Sequence, residues 1–147
     1  MCEGQLRQLG LDDYDSLLSL WQRAGLHSIR PQGRDSREAL AQQFATGVMT
    51  ILGLEVKGGL VAAAIVTHDS RKGWINRLAV DPDYRGRGYG TRLIEASEAL
   101  LREQGIPVTA TLVMSGNAAS LALFQKAGYV EIDSGIHYLT KREADYV

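Results

Sequence analysis

The stretch Arg85-Gly86-Arg87-Gly88-Tyr89-Gly90-Thr91 decides how this chain reads. Three alternate glycines open a segment, Thr91 to Gln104, in which Leu93, Ala96, Ser97, Leu100 and Leu101 recur at helical spacing. A glycine held in a helix costs about 1 kcal/mol relative to alanine, so the triplet is locally unfavourable. The charges also run against an ordinary helix start. A first turn favours Asp or Glu, because the helix N-terminus is electropositive. Here Arg85, Arg87 and Arg92 surround it, and the first acid is Glu95. A bound anion accounts for both features, since bare backbone N–H groups close around phosphate oxygens and arginines add charge. The plain alternative is a glycine-rich connector with solvated arginines.

Spacing narrows the ligand. The nucleotide-triphosphate pattern G-x-x-x-x-G-K-[ST] is absent. The dinucleotide pattern G-x-G-x-x-G needs a third glycine at Thr91 or Leu93 and fails at both. The strand expected next, Val108 to Val113, carries no acid for a ribose hydroxyl.

Working outward, Trp74 to Val80 reads as the strand before the loop, ended by Asp81-Pro82-Asp83. Thr50 to Val56 and Leu60 to His68 read as strands joined by Lys57-Gly58-Gly59, a hairpin turn whose glycines supply positive φ. With the turn Asp69 to Gly73, these segments form an antiparallel meander. At the N-terminal end, Gln5 to Leu9 is a short strand. Asp12 or Asp13 caps a helix whose apolar residues run from Tyr14 to Ala24, with Gly25 as its stop. Leu26 to Arg34 is loop, and Asp35-Ser36-Arg37-Glu38 has capping-box spacing for a second helix reaching about Phe44. Beyond the glycine loop, Gly105 and Pro107 end the helix, and Val108 to Val113 is a strand. Asn117 to Ala127 is a helix closed by Gly128. Tyr129 to Ile132 and His137 to Leu139 are short final strands. The strand–loop–helix–strand unit from Trp74 to Val113 is a crossover, so its two strands run parallel. The expectation is one α+β domain with a mixed sheet over residues 1–147.

Composition excludes several classes. A chain of 147 residues with 45% hydrophobic residues can build one real core. A formal net charge of -1 argues against a general nucleic-acid coat protein. The longest purely apolar run, Leu60 to Val66, is far short of the roughly 20 residues a membrane helix needs. Met1-Cys2-Glu3-Gly4-Gln5 shows no secretory signal. Cys2 is the only cysteine, which excludes an internal disulfide and a multi-cysteine metal site. A cytoplasmic setting is the expectation.

The loop and its surroundings resemble the GNAT superfamily of N-acetyltransferases. The family motif [RQ]-x-x-G-x-[GA] opens a helix after a strand ending in an L-x-V-like triplet. Here the triplet is Leu78-Ala79-Val80, and the loop is Arg85 to Gly90. Over this stretch the chain looks much like the ribosomal-protein alanine acetyltransferases. The second signature, N-x-x-(A/S)-x-x-L-(Y/F)-x-K-x-G-(F/Y), is met by Asn117 through Tyr129. The resemblance is close over about Leu60 to Leu139, whereas the first third fits by element order alone. It implies a GNAT fold with a V-shaped splay between the strands Trp74–Val80 and Val108–Val113, and acetyl-coenzyme A bound there without a metal. Backbone groups of Leu78, Ala79 and Val80 would line the pantetheine, with the Leu78 N–H as an oxyanion donor. The amides of Arg85, Gly86, Arg87, Gly88, Tyr89, Gly90 and Thr91 would hold the pyrophosphate. Asn117 would bind the pantetheine or serve as a helix N-cap, and Phe124 would sit beside the coenzyme A sulfur at a partly open site. The implied reaction is direct acetyl transfer to a primary amine of a small molecule or peptide. Transfer from another acyl-coenzyme A, or a non-catalytic coenzyme A sensor, is the competing reading. Dimerisation is common in the family.

The chain departs from the family at the proton-handling positions. Phe124 stands where many members have a tyrosine acid, Leu112 where the ribosomal-protein enzymes have a glutamate, and Trp74 near the position of the usual strand acid. His68, His137 and Tyr138 are candidate acid or base groups, and Tyr129 is a further acid that also suits the core. The plain alternative for His68 and His137 is a solvent-exposed or core-edge histidine. Arg30, Arg34 and Arg37 cluster in and after the N-terminal loop that forms one wall of the acceptor site in the family. They could fork onto a carboxylate or phosphate of the acceptor, or be solvated charges.

Overall fold

The expected meander forms. Strands β1 (Gln5–Leu9), β2 (Met49–Val56), β3 (Gly59–His68), β4 (Gly73–Val80) and β5 (Thr109–Ala110) make one sheet in the order β1-β2-β3-β4-β5. Every pairing is antiparallel except β4 with β5, which is parallel as a crossover requires. The computed structural model describes residues 3–132 and 135–146; Cys2 lies outside them. At the β2–β3 turn the positive φ values fall on Lys57 (+52°) and Gly58 (+80°), the two central positions of a tight hairpin. Gly59 already pairs with Val56. One of the two special positions is therefore taken by a lysine, not by a second glycine.

Helices cover both faces. The first, α1 (Tyr14–Arg23), and the second, α2 (Arg37–Ala45), pack Leu17, Leu20, Trp21 and Leu40 against Ile51, Ala63, Ile65 and Ala79. On the opposite face, α3 (Tyr89–Glu103) and α4 (Ala118–Lys126) pack Leu93, Ile94, Leu101 and Phe124 with Leu54, Ala62, Ala64, Val66 and Ile75. Burying both faces of β3 explains its unbroken apolar run, Val61 to Val66. Each fully buried leucine contributes about 1.5–3 kcal/mol, so the two cores hold the three layers together.

Two helix starts differ from expectation. Asp13 does not cap α1 with its side chain. A 3-10 turn, Leu11–Asp13, intervenes. The Asp13 carboxylate instead accepts from the Gly10 N–H at 2.8 Å and from both terminal nitrogens of Arg7 at 3.0 and 2.6 Å. The α2 cap is Ser36, whose Oγ accepts from the Ala39 N–H at 3.1 Å, so Asp35 is freed to turn inward.

The C-terminal third departs most. The strand expected over Val108 to Val113 shrinks to Thr109–Ala110. Neither Tyr129–Ile132 nor His137–Leu139 forms a strand. Gly128 (φ +97°) turns the chain so that Tyr129 folds back onto Phe124, with ring centroids 5.1 Å apart and edge to face. Val130, Ile132, Tyr138 and Leu139 are left exposed. A two-residue β5 offers no length of edge on which further strands could build.

Candidate active site

The centre of the molecule is a change of phase in β4. Near its start, the Gly73 N–H donates to the Val108 carbonyl at 2.8 Å, and the Ile75 carbonyl accepts from the Thr111 hydroxyl at 2.9 Å. Residues 73 and 75 therefore turn their peptide groups toward β5. Near its end, Ala79 pairs with Ala63 and the Asp81 N–H donates to the Val61 carbonyl at 2.8 Å. Odd-numbered residues there face β3. The reversal occurs at Arg77, which has φ +53° and, with Leu78, stands opposite Ala64 alone. This is a β-bulge. Side chains record the same shift: Ile75 packs in the α3 core, whereas Ala79, four residues on, packs in the α1 core. Beyond the bulge the period of two returns, so the peptide groups of Leu78 and Val80 face the β5 side. The β4–β5 ladder has already ended there, at Trp74 with Ala110.

The glycine loop lies just past this open edge. Gly86 (φ +75°) and Gly88 (φ +91°) occupy the left-handed region, and a Cβ at either would meet no atom within 4 Å. They are needed for backbone path and leave open space over the start of α3. Gly88 caps α3 without a side chain, and the first helical bond closes from the Arg92 N–H to the Gly88 carbonyl at 3.0 Å. Gly90 has a different cause: its Cβ would stand 2.8 Å from Leu123 Cδ2, so it lets α3 approach α4.

The loop arginines hold parts of the protein. Arg85 donates to the Val80 carbonyl at 3.2 Å and the Ala24 carbonyl at 3.1 Å. Arg87 lies 5.3 Å over the Tyr84 ring, and Arg92 donates to the Gly4 carbonyl at 2.8 Å. Their unusual placement therefore has structural partners, and the anion argument passes to the glycines and the helix start.

On the other face of the sheet, the bulge is pinned by a buried ion pair. Arg77 donates to Asp35 Oδ2 at 3.0 Å, and to the Ser28 hydroxyl and carbonyl at 2.8 and 3.0 Å. Asp35 Oδ2 also accepts from the Arg30 N–H at 2.7 Å, and the Tyr14 hydroxyl donates to the Asp35 carbonyl at 2.8 Å. The Nε–H groups of Arg30 and Arg77 are buried without a partner. Partial burial and the guanidinium groups of Arg77, Arg142 and Arg30 hold Arg34 below the ordinary arginine range, against the pull of Asp35.

The acetyltransferase (GNAT) family profile matches residues 14–129. The chain belongs to this family. An acetyltransferase of Sodalis glossinidius is 30% identical over 94% of each chain. Among solved structures, the PaiA N-acetyltransferase of Thermoplasma acidophilum in complex with coenzyme A superposes with a TM-score of 0.78, at 19% identity over 91% of this chain and 94% of that one. The ribosomal-protein-S18-alanine N-acetyltransferase of Escherichia coli superposes at 0.72, with 25% identity over 89% and 80%. It is one of several such neighbours, and the loop's likeness to the alanine-specific type does not single it out. The chain is an acetyltransferase of the GNAT type.

Against the GNAT signatures, the expected site residues fall into distinct places. The Leu78 and Val80 backbones are at the open edge, but Ala79 faces β3. Tyr89 turns its side chain into the core, and Thr91 lies in the first turn of α3. Asn117 Oδ1 accepts from the Ser120 N–H at 3.2 Å and so acts as the α4 cap. Phe124 is 3% exposed and packed in the core, not partly open. Tyr129 donates to Glu98 Oε2 at 2.9 Å, and burial, reinforced by Glu98, pushes its hydroxyl well above the ordinary tyrosine range. Tyr129 is thus a fixed neutral donor. His68 stands opposite Gly73, at the paired end of β4, and its Nδ1 accepts from the Ser70 N–H. Five residues of strand, about 16 Å, separate that end from Leu78. His137 and Tyr138 are exposed outside any strand, and Leu112 is exposed as well. Arg37 reaches back to the Leu11 carbonyl and the Tyr14 ring. Sequence reasoning missed Arg77, Asp35 and Thr111. The adjacent polar pair Asn76-Arg77 inside an apolar strand was the available sign of the bulge. Among the described residues, no helix is long and apolar enough to cross a membrane.

Proposed function

We propose that this GNAT enzyme transfers the acetyl group of acetyl-coenzyme A directly to a primary amine, both substrates meeting at the β4 bulge. The observation that carries this reading is the Leu78 peptide group, turned by the bulge onto an edge that β5 has left unpaired. The open, side-chain-free space at Gly86 and Gly88 fits a pyrophosphate over the α3 N-terminus. The amides from Arg85 to Thr91 would bind it, and Leu78 and Val80 would bind the pantetheine. Acetyl-coenzyme A supplies an activated thioester.

The chain's own part is positioning and charge stabilisation. The Leu78 N–H would receive the negative charge that develops on the carbonyl oxygen, a contribution of about 3–4 kcal/mol in comparable sites. The Val80 carbonyl is shared with Arg85, which fixes the strand end that orients the arm. The amine, of pKa about 10, must lose a proton. That proton passes to solvent as the C–N bond forms; the C–S bond breaks, and the coenzyme A thiolate leaves and takes its proton from solvent, because Phe124 has none to give and the Tyr129 hydroxyl is committed to Glu98. Holding the two reactants together can supply about 7–11 kcal/mol.

The test is thiol release from acetyl-coenzyme A over a panel of primary amines, with calorimetry using coenzyme A alone. Amine-dependent release, with Gly88→Asp abolishing both binding and release, is expected. Tight coenzyme A binding without turnover of any amine would favour the non-catalytic sensor.

A further inference from the structure

The arginines on the α1–α2 face are built around too little negative charge. Arg30, Arg34 and Arg77 gather about Asp35, the one carboxylate hydrogen-bonded among them in the described residues. Asp35 is 3% exposed, and its Oδ2 is already held by the Arg77 guanidinium and the Arg30 backbone. Two guanidinium N–H groups, Arg30 Nε and Arg77 Nε, are buried with no acceptor. A buried donor left unmade is costly, and more so when charged. Native proteins rarely leave such buried donors unpartnered.

The placement gives these unpartnered donors a direction. Arg77 is the residue before Leu78, so the arginine set and the open peptide edge meet at one bulge. The helix α3, with Tyr89 from the end of the glycine loop, packs on the opposite face of the sheet. A group entering from the arginine side would therefore reach the edge from across the coenzyme A side.

We infer that the acceptor is an amine carrying its own oxyanion, a carboxylate or a phosphate, which the unpartnered Nε–H groups of Arg30 and Arg77 meet at the bulge, with Arg34 beside them. The planar, always-charged guanidinium fork matches either anion. The inference rests on the acetyltransferase reading and names its substrate class. Arg30, Arg34 and Arg77 are binding residues here; Asp35 and Ser28 hold the terminal nitrogens of Arg77 and so position its Nε–H.

The experiment compares L-amino acids with their decarboxylated amines, and O-phosphoethanolamine with ethanolamine, in wild type and Arg34→Ala. Arg34 is exposed, so the variant should fold, and its coenzyme A affinity by calorimetry should match wild type. In parallel, arginine Nε–H resonances are followed by NMR with the same compounds in the presence of coenzyme A. The expected result is at least about tenfold higher kcat/KM for the anion-bearing member of one series, lost in Arg34→Ala. The Arg30 and Arg77 Nε–H signals should shift with that member alone. The series that responds tells carboxylate from phosphate. Equal turnover within both pairs, or arginine signals unmoved by any anion, overturns the inference while normal coenzyme A binding keeps the acetyltransferase reading intact. Loss of coenzyme A binding in the wild type would strike that underlying reading instead.

Discussion

Gly73 lies directly beneath Leu101: a Cβ at position 73 would come 3.0 Å from the Leu101 Cγ and 2.7 Å from its Cδ2, and Leu101 is fully buried. The same glycine donates to the Val108 carbonyl. The end of α3, the start of β4 and the only paired stretch of β5 thus meet at one residue. Because the leucine has no room to retreat, Gly73→Ala should destabilise the protein by about 1–3 kcal/mol. Urea denaturation measures this. Adding Leu101→Ala should recover part of the loss, giving a clear coupling energy between the two sites.

Gly88 offers a contrast, because space there is open and only the φ of +91° is demanding. Gly88→Ala should cost about 1–2 kcal/mol through left-handed strain and keep a measurable coenzyme A affinity. Gly88→Asp should add a repelling carboxylate and abolish binding. Calorimetry on the two variants separates strain from charge; equal affinities would place the phosphates elsewhere.

Phe124→Tyr tests the proton question. The family pattern suggests that a tyrosine at this position would gain a catalytic acid. Phe124 is 3% exposed and stacked edge-on to Tyr129. A hydroxyl buried there without a partner costs about 1–3 kcal/mol. The expected outcome is a lower denaturation midpoint with no rise in thiol release. A rise at unchanged stability would mean that the ring edge reaches the thioester.

Acid should loosen the β1 corner. The Arg7 guanidinium, aided by the Gly10 N–H, holds the Asp13 carboxyl below its ordinary range. A carboxyl depressed in the folded state stabilises above its unfolded pKa, near 3.9, and that share is lost as pH falls through the folded value. Arg7 is 39% exposed, so the share is about 1 kcal/mol or less. Stability curves of wild type and Asp13→Asn should therefore converge below about pH 4 and separate above it. Parallel curves would mean that the pair adds nothing.

The local features of this fold were legible in sequence because local chemistry decides them. Glycines at positive φ, Pro82 after β4 and the alternating meander need no distant partner to be read. The bulge at Arg77 needed β3 as a ruler, so it was hidden. Asp35 looked like a helix cap because Ser36, its neighbour, was equally able to cap; only the buried Arg77 drew Asp35 inward. Val130, Ile132 and Leu139 have strand-like side chains, but strand propensity is largely a measure of fit to a half-buried surface. Phe124 was assigned by family pattern to the coenzyme A sulfur, and Tyr129 claimed it for the core.

The extra residue in β4 makes the proposed chemistry a matter of counting. A backbone N–H is the same on every amino acid except proline, so position 78 could be mutated widely without removing the donor. Deleting Leu78 would restore an unbroken alternation and bring the Arg77 amide to the open edge, while Arg30, Arg34 and Asp35 all survived. A comparison of side chains across homologues would pass over that change, and a single gap in an alignment would record it.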